Sequence, residues 1–243
     1  MQTLGIIGNP LSHSFSKKYF DQKIAENKLT DVQFKEFPLP DISALEFVLN
    51  AERNLAGFAV TIPYKKAVID FLSDSSDEVK KIGACNCVRI KDGKLFGHNT
   101  DIIGFENSFK KHLQPQHKKA LLLGTGGAAA AVEFVLRKLD IDFLNLSRKP
   151  FANQLTYSDI DARLLKEYKI IINTTPLGTF PKVEEAPEIP YELITPEHYC
   201  FDLIYNPSVT KFLKLSAEQG AITENGYEML LLQAEENWKI WNV

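Results

Sequence analysis

Three sets of residues in this 243-residue chain have types and spacings suited to chemistry. The first is Leu121-Leu122-Leu123-Gly124-Thr125-Gly126-Gly127-Ala128-Ala129-Ala130, an apolar strand that runs through glycines into a helix-forming stretch. It fits the pattern G-x-G-x-x-G/A, with Ala129 in the third position. Gly124 permits the tight turn, Gly126 lets backbone approach a pyrophosphate, and small Ala129 lets helix pack on strand. Amides opening the helix then face the anion. The second set, Ser147-Arg148-Lys149, follows the next apolar strand. An NAD site carries an acidic residue about twenty residues beyond the glycines, for the ribose 2′-hydroxyl. A hydroxyl and two cations stand there instead, which suits a 2′-phosphate, and Arg148 is best placed to pair with it. The expected cofactor is NADP.

The third set gathers at strand ends in the first half. Gly8-Asn9-Pro10-Leu11-Ser12-His13-Ser14-Phe15-Ser16 follows one strand and Thr61-Ile62-Pro63-Tyr64-Lys65 another. Asn86 opens a hairpin that turns at Asp92-Gly93, and Asn99-Thr100-Asp101 closes it. Ligands of open α/β sheets bind at the carboxyl ends of strands. Hydroxyls, amides, one lysine and one aspartate there suit a polyhydroxylated acid. Hydride transfer to a carbonyl also needs a proton donor for the nascent alkoxide. A lysine ammonium, charged at neutral pH, can serve. Spacing alone leaves Lys65 open to being a surface residue beside Lys66, and Asp101 to being a helix N-cap.

The elements that must hold these groups alternate. Strands are expected at 3–8, 32–37 and 56–61, helices at 16–28, 41–53 and 64–72, and hairpin strands at 86–90 and 94–97. A connecting helix is expected at 102–114. Then come a strand at 120–123, a helix at 128–139, and strands at 143–146, 168–173, 199–204 and 221–224. Such alternation implies an α/β protein with mostly parallel sheets. We expect an N-terminal α/β substrate domain (1–101), a Rossmann-type NADP-binding domain (102–225), and a last helix (226–243) packing back on the first. The active site would lie in the interdomain cleft. Residues 180–198, with Pro181, Pro187, Pro190 and Pro196 and with Glu184, Glu185 and Glu188, read as a solvated surface connection. Met229, Leu230, Leu232, Trp238 and Trp241 read as core positions of the last helix.

Composition is that of a soluble globular enzyme, 44% hydrophobic and 24% charged. A net charge of −3 gives no footprint for nucleic acid. No apolar run approaches the roughly 20 residues that span a bilayer, and no signal-like core follows the N-terminus. A cytoplasmic location is expected. Cys85, Cys87 and Cys200 are odd in number and lack metal-site spacing, so reduced thiols and no metal are expected.

Taken together, these motifs resemble the shikimate dehydrogenase family. Val60-Thr61-Ile62-Pro63-Tyr64-Lys65, Gly83-Ala84-Cys85-Asn86 and Gly97-His98-Asn99-Thr100-Asp101…Gly104 carry the resemblance with the serine motif and the glycine loop. So do Asn173-Thr174-Thr175-Pro176-Leu177-Gly178, Asp202-Leu203-Ile204-Tyr205-Asn206-Pro207 and Gly226-Tyr227-Glu228-Met229-Leu230…Gln233-Ala234. The resemblance covers essentially the whole chain. It implies reversible NADPH-dependent reduction of 3-dehydroshikimate to shikimate, in aromatic amino-acid biosynthesis, by a monomer or homodimer. It implies that Ser14 and Ser16 bind the substrate carboxylate, with Tyr205 nearby, and that Thr61, Asn86, Asp101 and Gln233 hold ring hydroxyls. Lys65 is the implied catalytic lysine and Asp101 its partner. Cofactor contacts are implied for Gly124, Thr125, Gly126, Gly127, Ala128, Ser147, Arg148, Lys149, Thr174, Leu203 and Gly226. The chain departs from the family pattern at Lys17, where proline is usual, and at Cys87, where threonine is common. Two rival readings are a broader quinate/shikimate dehydrogenase and a non-catalytic hydroxy-acid sensor.

Overall fold

A computed structural model of the chain describes residues 1–11, 15–147 and 155–242. Two compact units emerge, Met1–Thr100 with Ala234–Val243, and Asp101–Gln233.

The first unit is built on strands β1 (Gln2–Gly8), β2 (Val32–Pro38), β3 (Leu55–Val60), β4 (Asp74–Ser75), β5 (Cys87–Lys91) and β6 (Lys94–His98). Their order is β2-β1-β3-β5-β6-β4. β1 runs parallel to both β2 and β3, whereas β5 is antiparallel to β3 and to β6. The sheet is therefore mixed: β1–β2, β1–β3 and β4–β6 are parallel, as most pairings were expected to be, and the two pairings of β5 are antiparallel. The cause is the two-residue turn at Asp92 and Gly93, both at positive φ (51° and 72°), which sends the chain straight back. Successive β1 side chains enter opposite faces. Ile7 joins Phe58, Val60 and Val88 on one side, while Leu4 and Ile6 join Phe20, Phe34 and Trp241 on the other.

Helices α1 (Phe15–Glu26), α2 (Leu45–Ala51) and α3 (Asp77–Ile82) complete this unit. Asp41 does cap, but it caps a 3-10 turn at Ile42–Ala44, and α2 begins only at Leu45. The helix expected at 64–72 is a 3-10 turn, Ala67–Phe71. Ser73 already donates its amide to Leu95 on the sheet, which leaves no length for α-helical turns. Helix α3 was not anticipated, although its signals are plain. Ser76 caps it, Asp77 and Glu78 complement its dipole, and Gly83 ends it in the left-handed region.

The second unit contains α4 (Asp101–Phe109), β7 (Lys119–Leu123), α5 (Gly127–Lys138), β8 (Asp142–Leu146) and α6 (Ala162–Glu167). It continues with β9 (Ile170–Asn173), β10 (Tyr199–Asp202), α7 (Lys211–Glu218) and β11 (Ile222–Glu224). Helix α8 (Tyr227–Asn242) starts in this unit and contributes its residues from Ala234 to the first. The sheet order is β11-β10-β9-β7-β8, parallel throughout. Helix α4 stops at Phe109 and passes into a 3-10 turn, short of the expected residue 114. The Gln114 amide bonds His117 Nδ1 at 3.0 Å, so it is taken by the turn into β7.

Residues 180–198 are more than a solvated connection. Glu184, Glu185 and Glu188 are exposed, but Ile189 and Ile194 enter the core with Leu121, Leu165 and Phe212. Under this segment lies a cavity of about 470 Å³ bounded by Tyr157, Leu177, Tyr191 and Lys211. Among the described residues, none of those expected to bind ligand lines it. No helix among the described residues is long and apolar enough to cross a membrane.

Candidate cofactor and substrate sites

In the parallel sheet the strand order reverses between β7 and β9, with β8 on one side and β9 to β11 on the other. Loops leaving β7 and β9 at such a point open a crevice at the carboxyl edge. The β7 loop holds the glycines. Gly124 sits at φ +108°, a conformation L side chains avoid, and a Cβ there would meet Thr174 Oγ1 at 2.8 Å. Its amide bonds Leu146, while Thr174 bonds Leu123 through both its amide and its hydroxyl (2.9 and 2.8 Å). The two loops are thus stitched together.

Gly126 and Gly127 differ in kind. A Cβ at either would meet none of the described residues within 4 Å. Gly126 is the N-cap of α5, with φ −78°, and no side chain caps that end. Nor is there an acidic residue in the first turn. The opening amides of α5, with Thr125 before them and Ala128 after Gly127, form a bare positive terminus. Among the described residues nothing requires two glycines there, whereas an incoming pyrophosphate does. Ala129, 1% exposed, fills the packing role expected of the third position.

Ser147 follows β8 and donates its amide to Leu155 (3.1 Å). Arg148 and Lys149 lie outside the described residues. Leu203 follows β10 and bonds Asn173. Gly226 precedes α8 and donates to Ile204 at 3.0 Å, which brings it close to Leu203.

Beneath these loops sits Asp202, a buried carboxyl that the motif contained but residue types did not single out. It accepts from Thr210 Oγ1 (2.6 Å), Ile204 N (3.0 Å) and Asn173 Nδ2 (3.1 Å). Asn173 in turn accepts from the Thr175 amide and hydroxyl. The network fixes the ends of β9 and β10. Despite three donors, burial pushes the Asp202 carboxyl from 3.8 up to about 6. Between those values the folded chain keeps a proton that the unfolded chain releases. Stability is therefore fully present below pH 4 and falls as pH rises through 6, by about 3 kcal/mol for a shift of roughly two units. Asp202→Asn is expected to flatten that slope in urea denaturation measured from pH 4 to 7. Parallel curves for both chains would contradict the assignment.

Substrate-type residues also gather at strand ends. In the first unit, Thr61 follows β3 and donates its amide to Ile7 on β1 (3.0 Å). Half-buried Lys65 lies four residues on, and its carbonyl accepts from Cys85 N at 2.7 Å. Asn86, next in line, is 3% exposed; its carbonyl accepts from Val60 and its amide donates to His98. Thr61, Lys65 and Asn86 therefore share one end of the mixed sheet. Half-buried Ser16 is in the first turn of α1, and Ser14 falls outside the described residues.

In the second unit, Asp101 is the first residue of α4, not its cap, and is 9% exposed. One turn later, Gly104 lets α8 approach, since a Cβ there would lie 3.1 Å from Gln233 Cβ. Gln233 donates to Leu230 O. Tyr205 is half-buried, and burial raises its phenol pKa. Thr100 belongs to one of the sequence motifs and Asn237 to none. Both are 1% exposed and bonded to one another. A second amide one turn beyond Gln233 on the same helix face is the signal for Asn237.

A parallel sheet with a glycine turn and a bare helix terminus at its switch point defines a dinucleotide-binding α/β protein, here joined to a second, mixed-sheet unit. A sequence model described as the shikimate dehydrogenase substrate binding domain matches residues 6–88. NADP-dependent shikimate dehydrogenase of Methanosphaera stadtmanae is 34% identical over 257 residues, spanning 98% of this chain and 90% of that one. The Aquifex aeolicus shikimate dehydrogenase structure superposes with a TM-score of 0.87 at 32% identity, over 100% and 92% of the two chains. The Thermus thermophilus enzyme, solved with NADP(H) and shikimate, gives 0.86 at 29% identity, over 99% and 93%. The chain belongs to the shikimate dehydrogenase family.

Proposed function

We propose that this chain is an NADP-dependent shikimate dehydrogenase, reducing 3-dehydroshikimate to shikimate reversibly in aromatic amino-acid biosynthesis. The observation that carries this reading is the start of α5, which has no side-chain cap and where Gly126 and Gly127 meet none of the described residues, in a family whose relatives are named for NADP. The amides from Gly126 onward hold the pyrophosphate, and Ser147, Arg148 and Lys149 hold the 2′-phosphate. Thr174, Leu203 and Gly226 line the remaining cofactor surface. When bound, the nicotinamide supplies the hydride, or accepts it in the reverse direction.

The rest of the chemistry falls to side chains. Ser14, Ser16 and Tyr205 bind the substrate carboxylate. Thr61, Asn86, Asp101 and Gln233 orient the ring through its hydroxyls. The Lys65 ammonium stabilises the growing alkoxide and delivers its proton, and takes it back during oxidation, with Asp101 as the second catalytic residue. Residues 1–101 serve as the substrate domain and 102–225 as the cofactor domain. The protein works in the cytoplasm as a monomer or homodimer.

The test is purified protein with shikimate and NADP, followed by the near-ultraviolet absorbance of reduced nicotinamide. Turnover is expected with that pair and at least tenfold less with NAD or quinate. Strong quinate turnover or equal use of NAD would replace the reading with the broader enzyme. Shikimate binding without turnover would replace it with the sensor.

A further inference from the structure

We propose that Asn237 is a positioning residue for substrate, acting on Asn86 through Thr100, an inference that rests on the function proposed above. Asn86, Thr100 and Asn237 form a buried polar chain, at 3%, 1% and 1% exposure. Asn86 Nδ2 donates to Thr100 Oγ1 at 3.0 Å, and that hydroxyl lies 2.6 Å from Asn237 Oδ1. The Thr100 amide donates to Asn86 Oδ1, also at 2.6 Å. A threonine hydroxyl has a single proton. It has two acceptors to choose from, Asn237 Oδ1 at 2.6 Å and Asn86 Oδ1 at 3.2 Å.

The shorter contact decides the direction. With the proton on the Asn237 side, the chain runs Asn86 N–H to Thr100 O–H to Asn237 O, and each bond polarises the next. Remove the Asn237 acceptor, and the hydroxyl proton turns to Asn86 Oδ1. A hydroxyl turned that way no longer offers its lone pair to Asn86 Nδ2, whereas the Thr100 amide still holds Asn86 Oδ1. The Nδ2 end of Asn86 thereby loses the acceptor that helps to aim it at a ring hydroxyl. Asn237 also lies one turn beyond Gln233 on α8. The i,i+4 spacing puts both on one helix face.

The experiment is a cycle of Asn237→Leu, Thr100→Val and the double variant, read as shikimate and NADP kinetics with thermal melting alongside. For Asn237→Leu we expect the shikimate KM to rise about tenfold, with NADP KM within twofold of wild type. The double variant should be no worse than the poorer single, because both act through one chain of bonds. Asn237→Asp keeps the acceptor and should hold shikimate KM within threefold, which also serves if the leucine variant does not fold. A wild-type shikimate KM in Asn237→Leu, or additive losses in the double variant, would overturn the proposal while leaving the function standing. So would a tenfold rise in a folded Asn237→Asp. A wild-type protein that does not turn over shikimate would overturn both.

Discussion

Replacing Lys65 by alanine is expected to lower kcat by about 10³ while shikimate affinity stays within about tenfold, a loss in the range general acid–base groups supply. The fold should not suffer. The Lys65 backbone carbonyl accepts from Cys85 N, and alanine keeps that bond. The side chain is only half-buried, so its removal should cost stability little. Lys65→Arg separates proton delivery from charge. A guanidinium stays protonated throughout, so arginine should still lower kcat by more than about 10², since it cannot give up the proton. Steady-state turnover, with calorimetry for shikimate binding, reads both variants. A Lys65→Ala protein within threefold of wild-type kcat would take Lys65 out of the reaction.

Gly126→Ala should leave the empty protein nearly unchanged and still damage its cofactor binding. Its φ of −78° suits alanine, and the added methyl meets none of the described residues within 4 Å. Exchanging glycine for alanine at an N-cap costs about 1 kcal/mol at most. In a chain of this size that lowers the melting temperature by roughly 2–4 °C. The methyl does, however, occupy the space that the pyrophosphate needs. NADP KM should rise by about 10- to 100-fold, equivalent to about 1.4–2.8 kcal/mol, with shikimate binding unaffected. An unchanged NADP KM would mean that the glycines serve the turn and not the ligand.

How far the sequence disclosed this molecule depended on whether a feature was local. The glycine loop, the alternating strands and the Asp92-Gly93 turn each declare themselves within a few residues, and each stands where expected. The 3-10 turn at Ala67–Phe71 was not legible, because its length is set by the pull of Ser73 onto a strand that arrives twenty residues later. The prolines and glutamates of 180–198 concealed Ile189 and Ile194, whose burial depends on a surface made elsewhere. Lys65, Asp101 and Gln233 stood out through a family pattern, since as single residues they resemble ordinary surface or capping positions. Asn237 belonged to no motif quoted for the family. Its role depends on Thr100, which is distant in sequence and adjacent only once α8 is docked.

That docking bears on how the chain matures. The first unit draws part of its hydrophobic interior from the end of α8. Trp241 packs on Phe20 at 5.1 Å between ring centroids, and its indole N–H bonds Val88 O. A polypeptide emerging vectorially at about 5–20 residues per second needs on the order of ten seconds to synthesise the intervening Asp101–Gln233. Throughout that interval the earliest-made half lacks its tryptophan plug, while the unit made later is continuous and closes as soon as it is complete. Birth order and folding order are thereby reversed. The nascent N-terminal half is the stage at which a chaperone would find exposed apolar surface.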